Sequence, residues 1–286
     1  MSLKITVGCD PEIALYDPKK KKFISAEGIV PGDKLNPHKV KKGTIQTDGF
    51  AAEIGIDPAS SAQEFYDNIQ TVLGELRDRT TGLEFRFIDH VIFDDDVYKN
   101  QSEEGRQLGC MPDYSAYTRL ANPMPVPNPP SMRTFSGHVH IGWCEDADVS
   151  DPGHFADAIV VAKQMDWSLG VPTSLWNPKS LRRQLYGKAG AFRVKPYGME
   201  YRTPDNGWLV SEERIKMVFD NTVLGMTELY KGNHYSAQYN PKSIIDKGTE
   251  SGYTQGYLRE LKIPYIPAEG IKTSKKAMNA NTATFI

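Results

Sequence analysis

The chain has 286 residues, which is enough for one large domain, and we expect one domain with insertions. Hydrophobic residues make up 39% and charged residues 24%, and no apolar run approaches the roughly 18 residues of a membrane span, which argues against a membrane protein. The net charge of −2 without a dense basic stripe argues against nucleic-acid binding. Three widely spaced cysteines and a start without a secretory signal predict a cytoplasmic protein.

The first third of the chain is predicted to contain strands and one helix. Strands are predicted over Lys4 to Leu15, near Phe23 and over Phe85 to Phe93. The first two are separated by turn residues and should form an antiparallel hairpin. Thr44 to Ile56 carries β-branched and small residues and leads to a helix entrance that Ser60 or Ser61 could cap. Over Ala62 to Leu76 apolar residues recur every three or four positions, which predicts an amphipathic helix covering the sheet.

The rest of the chain begins with a segment of little periodicity. Asp94 to Pro130 is rich in Asp, Asn and Pro, which indicates a loop-rich insertion. A strand is then predicted over Thr134 to Trp143, helices over Phe155 to Leu169 and Ser211 to Leu229, and a Gly-rich turn leading into a strand over Leu181 to Arg202. Residues 271–286 form a polar tail that we expect to be flexible.

Three short segments place two charged or metal-binding side chains at positions i and i+2 of a predicted strand. The pairs are Asp10 with Glu12, His138 with His140, and Glu200 with Arg202. Because side chains alternate along a strand, each pair should point to one face. Such a face cannot be a dry core, since every charge on it would lack water or a partner. The pattern predicts a wet cleft, and carboxylates with imidazoles but without paired thiolates favour Mg²⁺ or Mn²⁺.

Each pair also has a purely structural interpretation. Asp10 and Glu12 could lie in a surface turn, and Glu200 with Arg202 could form a surface ion pair. The two histidines alternate with Val139 and are flanked by glycines that would let a ligand approach the backbone, so function and structure remain open for them.

A run of positive charge precedes Glu200 and surrounds a Gly-Lys-Ala-Gly turn. Its members are Arg182, Arg183, Lys188, Arg193 and Lys195. Guanidinium and ammonium groups at this density suit a polyphosphate. The sequence has neither a GxxxxGK[ST] motif nor a strand-linked GxGxxG motif, so a nucleotide would have to be held in another way.

Taken in order, four segments of the chain resemble one family. They are Gly8 to Glu12, Asp48 to Glu53, Ser136 to Gly142, and Tyr186 through Asp205. Over roughly Val7 to Trp208 the chain is similar to the phage-type carboxylate-amine ligases, which belong to the superfamily of glutamine synthetase and glutamate-cysteine ligase. The resemblance implies an α+β fold with a curved antiparallel sheet like that of glutamine synthetase and helices packed on its convex face. It also implies a single catalytic domain over residues 1–270, with 94–130 as the loop-rich insertion.

The resemblance assigns a role to each matching residue. It implies that the metal ligands are Asp10, Glu12, Glu53, His138 and Glu200. Asp10 replaces the Glu that the superfamily often has, so its direct ligation stays open. Arg193 and Arg202 would hold phosphate, His140 would face the substrate, and Asp48 would complete the metal shell or orient the amine. Arg183 and Lys188 would contact the nucleotide.

The activity implied by the resemblance is amide formation between a carboxylate and an amine. It would use ATP, two or three Mg²⁺ or Mn²⁺ ions and an acyl-phosphate intermediate. The substrates would be small molecules or peptides, in the host cytoplasm if the gene belongs to a phage, and the protein could form an oligomer. Two alternatives remain at this point: a metal-dependent hydrolase, and a noncatalytic phage protein that keeps the fold.

Overall fold

The computed structural model describes residues 4–107, 113–235, 240–248 and 251–267. Its strands are β1 (Thr6–Cys9), β2 (Glu12–Asp17), β3 (Lys22–Ile24), β4 (His38–Val40), β5 (Gly43–Asp48), β6 (Ala51–Ile56), β7 (Glu84–Arg86), β8 (His90–Ile92), β9 (Tyr114–Ser115), β10 (Met132–Thr134), β11 (Val139–Gly142), β12 (Ala191–Lys195) and β13 (Gly198–Tyr201). The residues beyond Gly270, for which a flexible tail is predicted, lie outside the described part of the chain.

The central sheet has five antiparallel strands in the order β1-β11-β13-β12-β9. Apolar residues alternate along these strands, so Val139, Ile141 and Met199 are fully buried in the core. The residues between them point to the opposite face. This alternation sends His140 and Glu200 away from the core, in neighbouring positions of paired strands.

A second sheet has the order β3-β2-β6-β5-β4, with β7 also pairing with β2, and β8 pairs with β10 in a small third sheet. The chain passes from the first sheet to the second at Pro11. The backbone N–H of Asp10 bonds to the carbonyl of His138, and that of Glu12 bonds to the carbonyl of Ser136. The segment before β11 therefore pairs with both sides of the crossing and holds the two sheets edge to edge.

The helices are α1 (Ala62–Arg79), α2 (Asp95–Asn100), α3 (Glu103–Arg106), α4 (Pro152–Met165), α5 (Val171–Ser174), α6 (Arg182–Leu185), α7 (Glu212–Tyr230), α8 (Pro241–Lys247) and α9 (Ser251–Glu260), with a π-helical turn at Asp166–Gly170 and a 3-10 turn at Asn206–Val210. Ser61 caps α1 and Ser211 caps α7, each by accepting a hydrogen bond from the backbone N–H three residues ahead. No helix among the described residues is long and apolar enough to cross a membrane.

Helices α1, α4 and α7 share one hydrophobic core with the central sheet. The ring of Phe65 on α1 lies 5.8 Å from that of Phe219 on α7 and 6.0 Å from that of Trp208. Residues of α4 such as Ala162 are buried in the same cluster as Phe192 of β12. The helices thus cover the apolar face of the sheet and leave the polar face open.

The predicted mixture of helices and antiparallel sheets is confirmed, whereas several predicted boundaries are wrong. The single strand over Lys4 to Leu15 is two strands, because Pro11 marks the change of sheet. Phe85 to Phe93 and Thr134 to Trp143 are also divided between sheets. The predicted helix over Phe155 to Leu169 begins earlier, at Pro152, and becomes π-helical at Asp166. Leu181 to Arg202 contains a short helix and a hairpin.

A buried carboxylate, that of Asp166, joins the π-helical turn to the central sheet. Its two oxygens accept hydrogen bonds from the hydroxyls of Tyr201 at 2.6 Å and Tyr117 at 2.7 Å and from the backbone N–H of Gly190 at 2.8 Å. Burial outweighs these hydrogen bonds and raises the pKa of Asp166 to about 7. The folded protein therefore holds this proton more tightly than the unfolded chain.

We expect Asp166 to make the protein less stable as the pH rises from about 4 to 7. In that range the folded state binds more protons than the unfolded state, in which aspartate has a pKa of about 3.9. The free energy of unfolding of the natural protein should therefore fall relative to that of Asp166→Asn, by about 1.4 kcal/mol per unit of pKa difference. Denaturant unfolding at several pH values measures this. Parallel pH profiles of the two proteins would contradict it.

Candidate functional site

Strand register brings the polar residues of the central sheet into one row. His140 lies opposite Glu200, which lies opposite Arg193 on its other side. Gly8 lies opposite His140, so the next strand adds no side chain there and Asp10, two residues later, can approach the histidine. The row runs across three strands on the face away from the core.

Glu200 is fully buried and is surrounded by positive charge. Its carboxylate oxygens lie 3.3 Å from Nη1 of Arg193 and 3.1 Å from Nζ of Lys195, and it also pairs with Nη1 of Arg202. A buried carboxylate without such partners would cost several kcal/mol. The three cations thus neutralise Glu200 and remain together at one end of the row.

The first candidate metal cluster consists of Asp10, His140 and Glu200, whose potential ligand atoms all lie within 4.8 Å of one another. Oδ1 of Asp10 lies 3.1 Å from Nε2 of His140. His138 adjoins this cluster, since its Nδ1 lies 3.3 Å from Asp10 and 3.2 Å from Glu200. The hydroxyl of Tyr197 lies 2.9 Å from Nδ1 of His140 and fixes that ring. The structure therefore brings both histidines to the same acids and does not set His140 apart.

The second candidate cluster lies on the neighbouring sheet and consists of Glu12, Asp48 and Glu53. Register explains it, because Glu12 lies opposite Glu53 and Glu53 lies opposite Gln46. Nε2 of Gln46 donates to Glu53 at 2.7 Å, and the backbone N–H of Ser136 donates to Glu12 at 2.8 Å. These donors orient the carboxylates but leave most of their charge uncompensated.

The two clusters differ in electrostatics. Burial and the nearby charge of Asp48 raise the pKa of Glu12 to about 7, and burial with the charge of Asp10 raises the pKa of Glu53 well above its usual range. Burial opposes ionisation of Asp10 as well, but the charge of His140 and hydrogen bonds from both histidines hold the pKa of Asp10 well below its usual range. A bound cation would therefore stabilise the charged carboxylates of the second cluster more than those of the first.

The ring of His138 keeps one buried nitrogen, Nε2, that has no hydrogen-bond partner among the described residues. Buried polar atoms are rarely left without a partner unless an ion or ligand satisfies them. Carboxylate and imidazole atoms at this spacing suit a divalent cation such as Mg²⁺ or Mn²⁺. The donor set therefore fits metal binding.

One cleft joins the two clusters. It is lined by seven of the eleven predicted site residues: Asp10, Glu12, Asp48, Glu53, His138, Arg193 and Arg202. His140 and Glu200 lie directly behind this lining, in contact with Asp10 and with Arg193. The roles predicted for these residues remain predictions, but the structure brings all nine together.

The structure does not bring Arg183 and Lys188 into the cleft. Arg183 is buried and its guanidinium donates to the carbonyl of Asn177. Lys188 is exposed and lies outside the cleft lining. The intervening Gly187 has a φ of +70°, and the chain turns there before β12 begins, so the basic run is divided between two locations.

Sequence reasoning placed Lys195 and Arg182 in the basic run suited to a polyphosphate but gave neither an individual role, and it did not single out Lys34, Gln46 or Tyr186. Lys195 shares a face with Arg193 on β12, so the period of two could have identified it. Arg182 is fully buried, donates to the carbonyls of Thr203 and Arg202, and lies close enough to Glu12 to favour its charged form. No local pattern distinguishes Arg182 from its neighbours. Lys34, Gln46 and Tyr186 come from separate loops and strands and also line the cleft.

Residues 134–245 match the family model described as "Phage phiEco32-like COOH.NH2 ligase-type 2". This match supports a phage-type carboxylate-amine ligase. A search of curated proteins finds no match. The matched range contains the histidine pair and the basic residues around Glu200, whereas Asp10 and the second cluster precede it. The structure places those carboxylates, which the match leaves out, next to residues of the matched range.

Two substitutions should weaken divalent metal binding separately. Glu53→Gln removes a charge from the second cluster and Asp10→Asn one from the first, so each should lower Mn²⁺ affinity by at least roughly ten-fold. Electron paramagnetic resonance of free Mn²⁺ measures binding. Glu145→Gln is the control, because Glu145 is exposed and lies in neither cluster. Unchanged affinity in Asp10→Asn would restrict metal binding to the second cluster.

Proposed function

We propose that the protein uses ATP and Mg²⁺ to form an amide bond between a carboxylate and an amine through an acyl phosphate. The observation that carries the proposal is the arrangement of the cleft: two carboxylate-rich clusters, one on each of two adjoining sheets, lie close to three cations. We further propose that residues 1–270 form one catalytic domain and that its sheets form a curved surface like that of glutamine synthetase.

ATP is needed because a carboxylate at neutral pH is a poor electrophile. An oxygen of the substrate carboxylate attacks the γ-phosphorus of ATP, and ADP leaves. The amine nitrogen then attacks the carbonyl carbon of the acyl phosphate, the bond to the phosphate oxygen breaks, and inorganic phosphate leaves. The products are an amide, ADP, phosphate and one proton.

Residues of both clusters would hold the metal ions. Asp10 and Glu200 of the first cluster, with the adjoining His138, would form one site, and Glu12 with Glu53 of the second cluster would form the other. Divalent cations bound there would neutralise the phosphates and reduce their repulsion of the substrate carboxylate.

The basic residues beside Glu200 would act on the transferring phosphoryl group. Arg193 and Arg202 present planar guanidinium groups, which suit phosphate oxygens. Their pairing with Glu200 holds them in place before the nucleotide arrives, so little rearrangement is needed during the reaction. His140, which Tyr197 orients, would face the substrate.

Asp48 would accept the proton that the amine must lose. Its carboxylate is partly exposed on the cleft, where an incoming amine can reach it. A general base has to lie within hydrogen-bond reach of the proton that it removes, and Asp48 combines that access with neighbouring carboxylates that favour a cation.

The acyl phosphate can be tested with isotopes. Purified protein is mixed with ATP, Mg²⁺, a panel of amines and carboxylic acids labelled with ¹⁸O in the carboxylate. The mechanism predicts ADP, an amide and phosphate carrying one ¹⁸O atom, all detectable by mass spectrometry. Phosphate release without an amide would favour a hydrolase. No substrate-dependent ADP from a folded protein that binds Mg²⁺ would favour a noncatalytic role.

Arg193→Met should lower kcat by roughly a hundred-fold, because a guanidinium that stabilises charge on the phosphoryl group is lost. Arg193→Lys, which keeps the charge but not the planar fork, should recover part of that activity. ADP release under saturating ATP is the measurement. Arg259→Met serves as the control, since Arg259 is exposed and does not line the cleft. Equal kcat for Arg193→Met and the natural protein would exclude this role.

A further inference from the structure

Lys34 makes an ion pair inside the cleft. Its Nζ lies 2.8 Å from Oδ1 of Asp48, and both residues line the cleft together with Glu12 and Glu53. The side chain of Lys34 is 43% exposed and that of Asp48 is 22% exposed, so the ammonium approaches the carboxylate from the solvent side. A primary ammonium group on an unbranched alkyl chain is therefore already seated at the proposed base.

The loop that carries Lys34 is fixed on both sides of it. The carbonyl of Gly32 accepts a hydrogen bond from the backbone N–H of Thr47, the residue before Asp48, at 3.0 Å. Oδ1 of Asp33 accepts the backbone N–H groups of Leu35 and Asn36, each at 2.8 Å. The loop is thus bonded to the strand that ends at Asp48, so it presents Lys34 to that carboxylate.

Glycine is required at the start of this loop. Gly32 has a φ of +86°, and a Cβ atom there would come within 2.5 Å of the backbone nitrogen of His38. The sharp turn brings the following residues close to β5. The backbone conformation of the loop, and not only the flexible side chain, therefore determines where Lys34 lies.

The three acids of the second cluster differ in their partners. Glu12 and Glu53 face each other across the β2 and β6 pairing, and the charge of Lys34, which contacts Asp48 directly, also acts to lower the pKa of Glu53. Asp48 already has an ammonium as its partner. Glu12 and Glu53 are therefore suited to bind a metal ion, whereas Asp48 is suited to bind an amine.

We propose that Lys34 occupies the place of the attacking amine at Asp48, and that the amine substrate is a primary alkylamine of the lysine type, which displaces it. The proposal rests on the proposed function and specifies its amine. The substrate ammonium replaces that of Lys34 on the same carboxylate, gives its proton to Asp48 and attacks as the free amine. A partly exposed ion pair is weak, so the exchange has a small cost. Lys34 thereby lowers the apparent affinity for the amine and shields Asp48 until the substrate arrives.

Calorimetric titration tests this competition. The probe is Nα-acetyl-lysine N-methylamide, added to protein saturated with Mg²⁺ and a nonhydrolysable ATP analogue. Lys34→Met keeps the unbranched chain but removes the ammonium, so we expect it to bind the probe roughly five-fold more tightly than the natural protein does. Lys39→Met, on the neighbouring exposed strand β4, should not differ from the natural protein. Equal or weaker binding by Lys34→Met would overturn the proposal.

The chemistry of the probe gives a second comparison. The Nε-trimethylated form of the same compound keeps the positive charge but has no N–H group to donate to Asp48. It should bind at least ten-fold more weakly to Lys34→Met than the unmethylated probe does. Similar binding of both forms would show that the cleft takes any cation, and would overturn the assignment to primary amines.

A third measurement uses the natural protein and needs no variant. N-acetoxysuccinimide acetylates free lysine amines, and an ion pair slows this reaction. Saturating probe should therefore increase acetylation of Lys34 relative to Lys39, as measured by peptide mass spectrometry, whereas unchanged or reduced acetylation would contradict displacement. A separate titration of the ATP analogue into the Mg²⁺-loaded protein records nucleotide binding: no binding would refute the proposed function, whereas normal nucleotide binding without competition would refute this inference alone.

Discussion

The buried carboxylate of Glu200 constrains the rest of the site. Transfer of a carboxylate from water to a protein interior costs several kcal/mol, and the protein offsets this cost with three cations and a histidine. Those cations can reach Glu200 only from the adjacent strand β12 and from the residue two positions later. The hairpin of β12 and β13 is therefore also what concentrates positive charge at one end of the cleft. The need to compensate the buried charge of Glu200 thus accounts for two features of the site: a candidate metal ligand, and a group of cations that a polyphosphate could bind.

The crossing at Pro11 gives the site its two halves. Asp10 completes the cluster on the central sheet, and Glu12, two residues later, begins the strand that carries the second cluster. Because residues before β11 bond to the backbone on both sides of Pro11, the two sheets meet beside the histidines. The halves are electrically distinct: the charge of His140 and hydrogen bonds from both histidines lower the pKa of Asp10, whereas Glu12, Asp48 and Glu53 repel one another. The two neighbouring clusters differ in how strongly they attract a cation. Such a pair suits a reaction that binds phosphate and an amine in the same cleft.

Much of this arrangement could be predicted from local patterns, because alternation along a strand is a local property. The period of two placed His138 with His140 and Glu200 with Arg202, and strand pairing then set His140 beside Glu200. The change of sheet between Asp10 and Glu12 could not be predicted, because it depends on which strand each half finds as a partner. The position of Lys34 could not be predicted either. The folded loop brings it to Asp48, and no pattern among its neighbours in sequence indicates this contact. Charge density along the sequence could not show that Arg183 and Lys188 lie outside the lining of the cleft.

The two faces of β13 link the stability of the fold to the geometry of the site. Glu200 points to the cleft, and the next residue, Tyr201, points to the core, where its hydroxyl donates to Asp166. Asp166 also accepts the backbone N–H of Gly190, just before β12, the strand that supplies Arg193 and Lys195. One buried carboxylate thus ties together both strands of the hairpin from behind, while a second one draws their cations together from the front. The spacing of those cations is consequently fixed by bonds on both faces of the sheet, which is the pre-organisation that a phosphate-binding site requires.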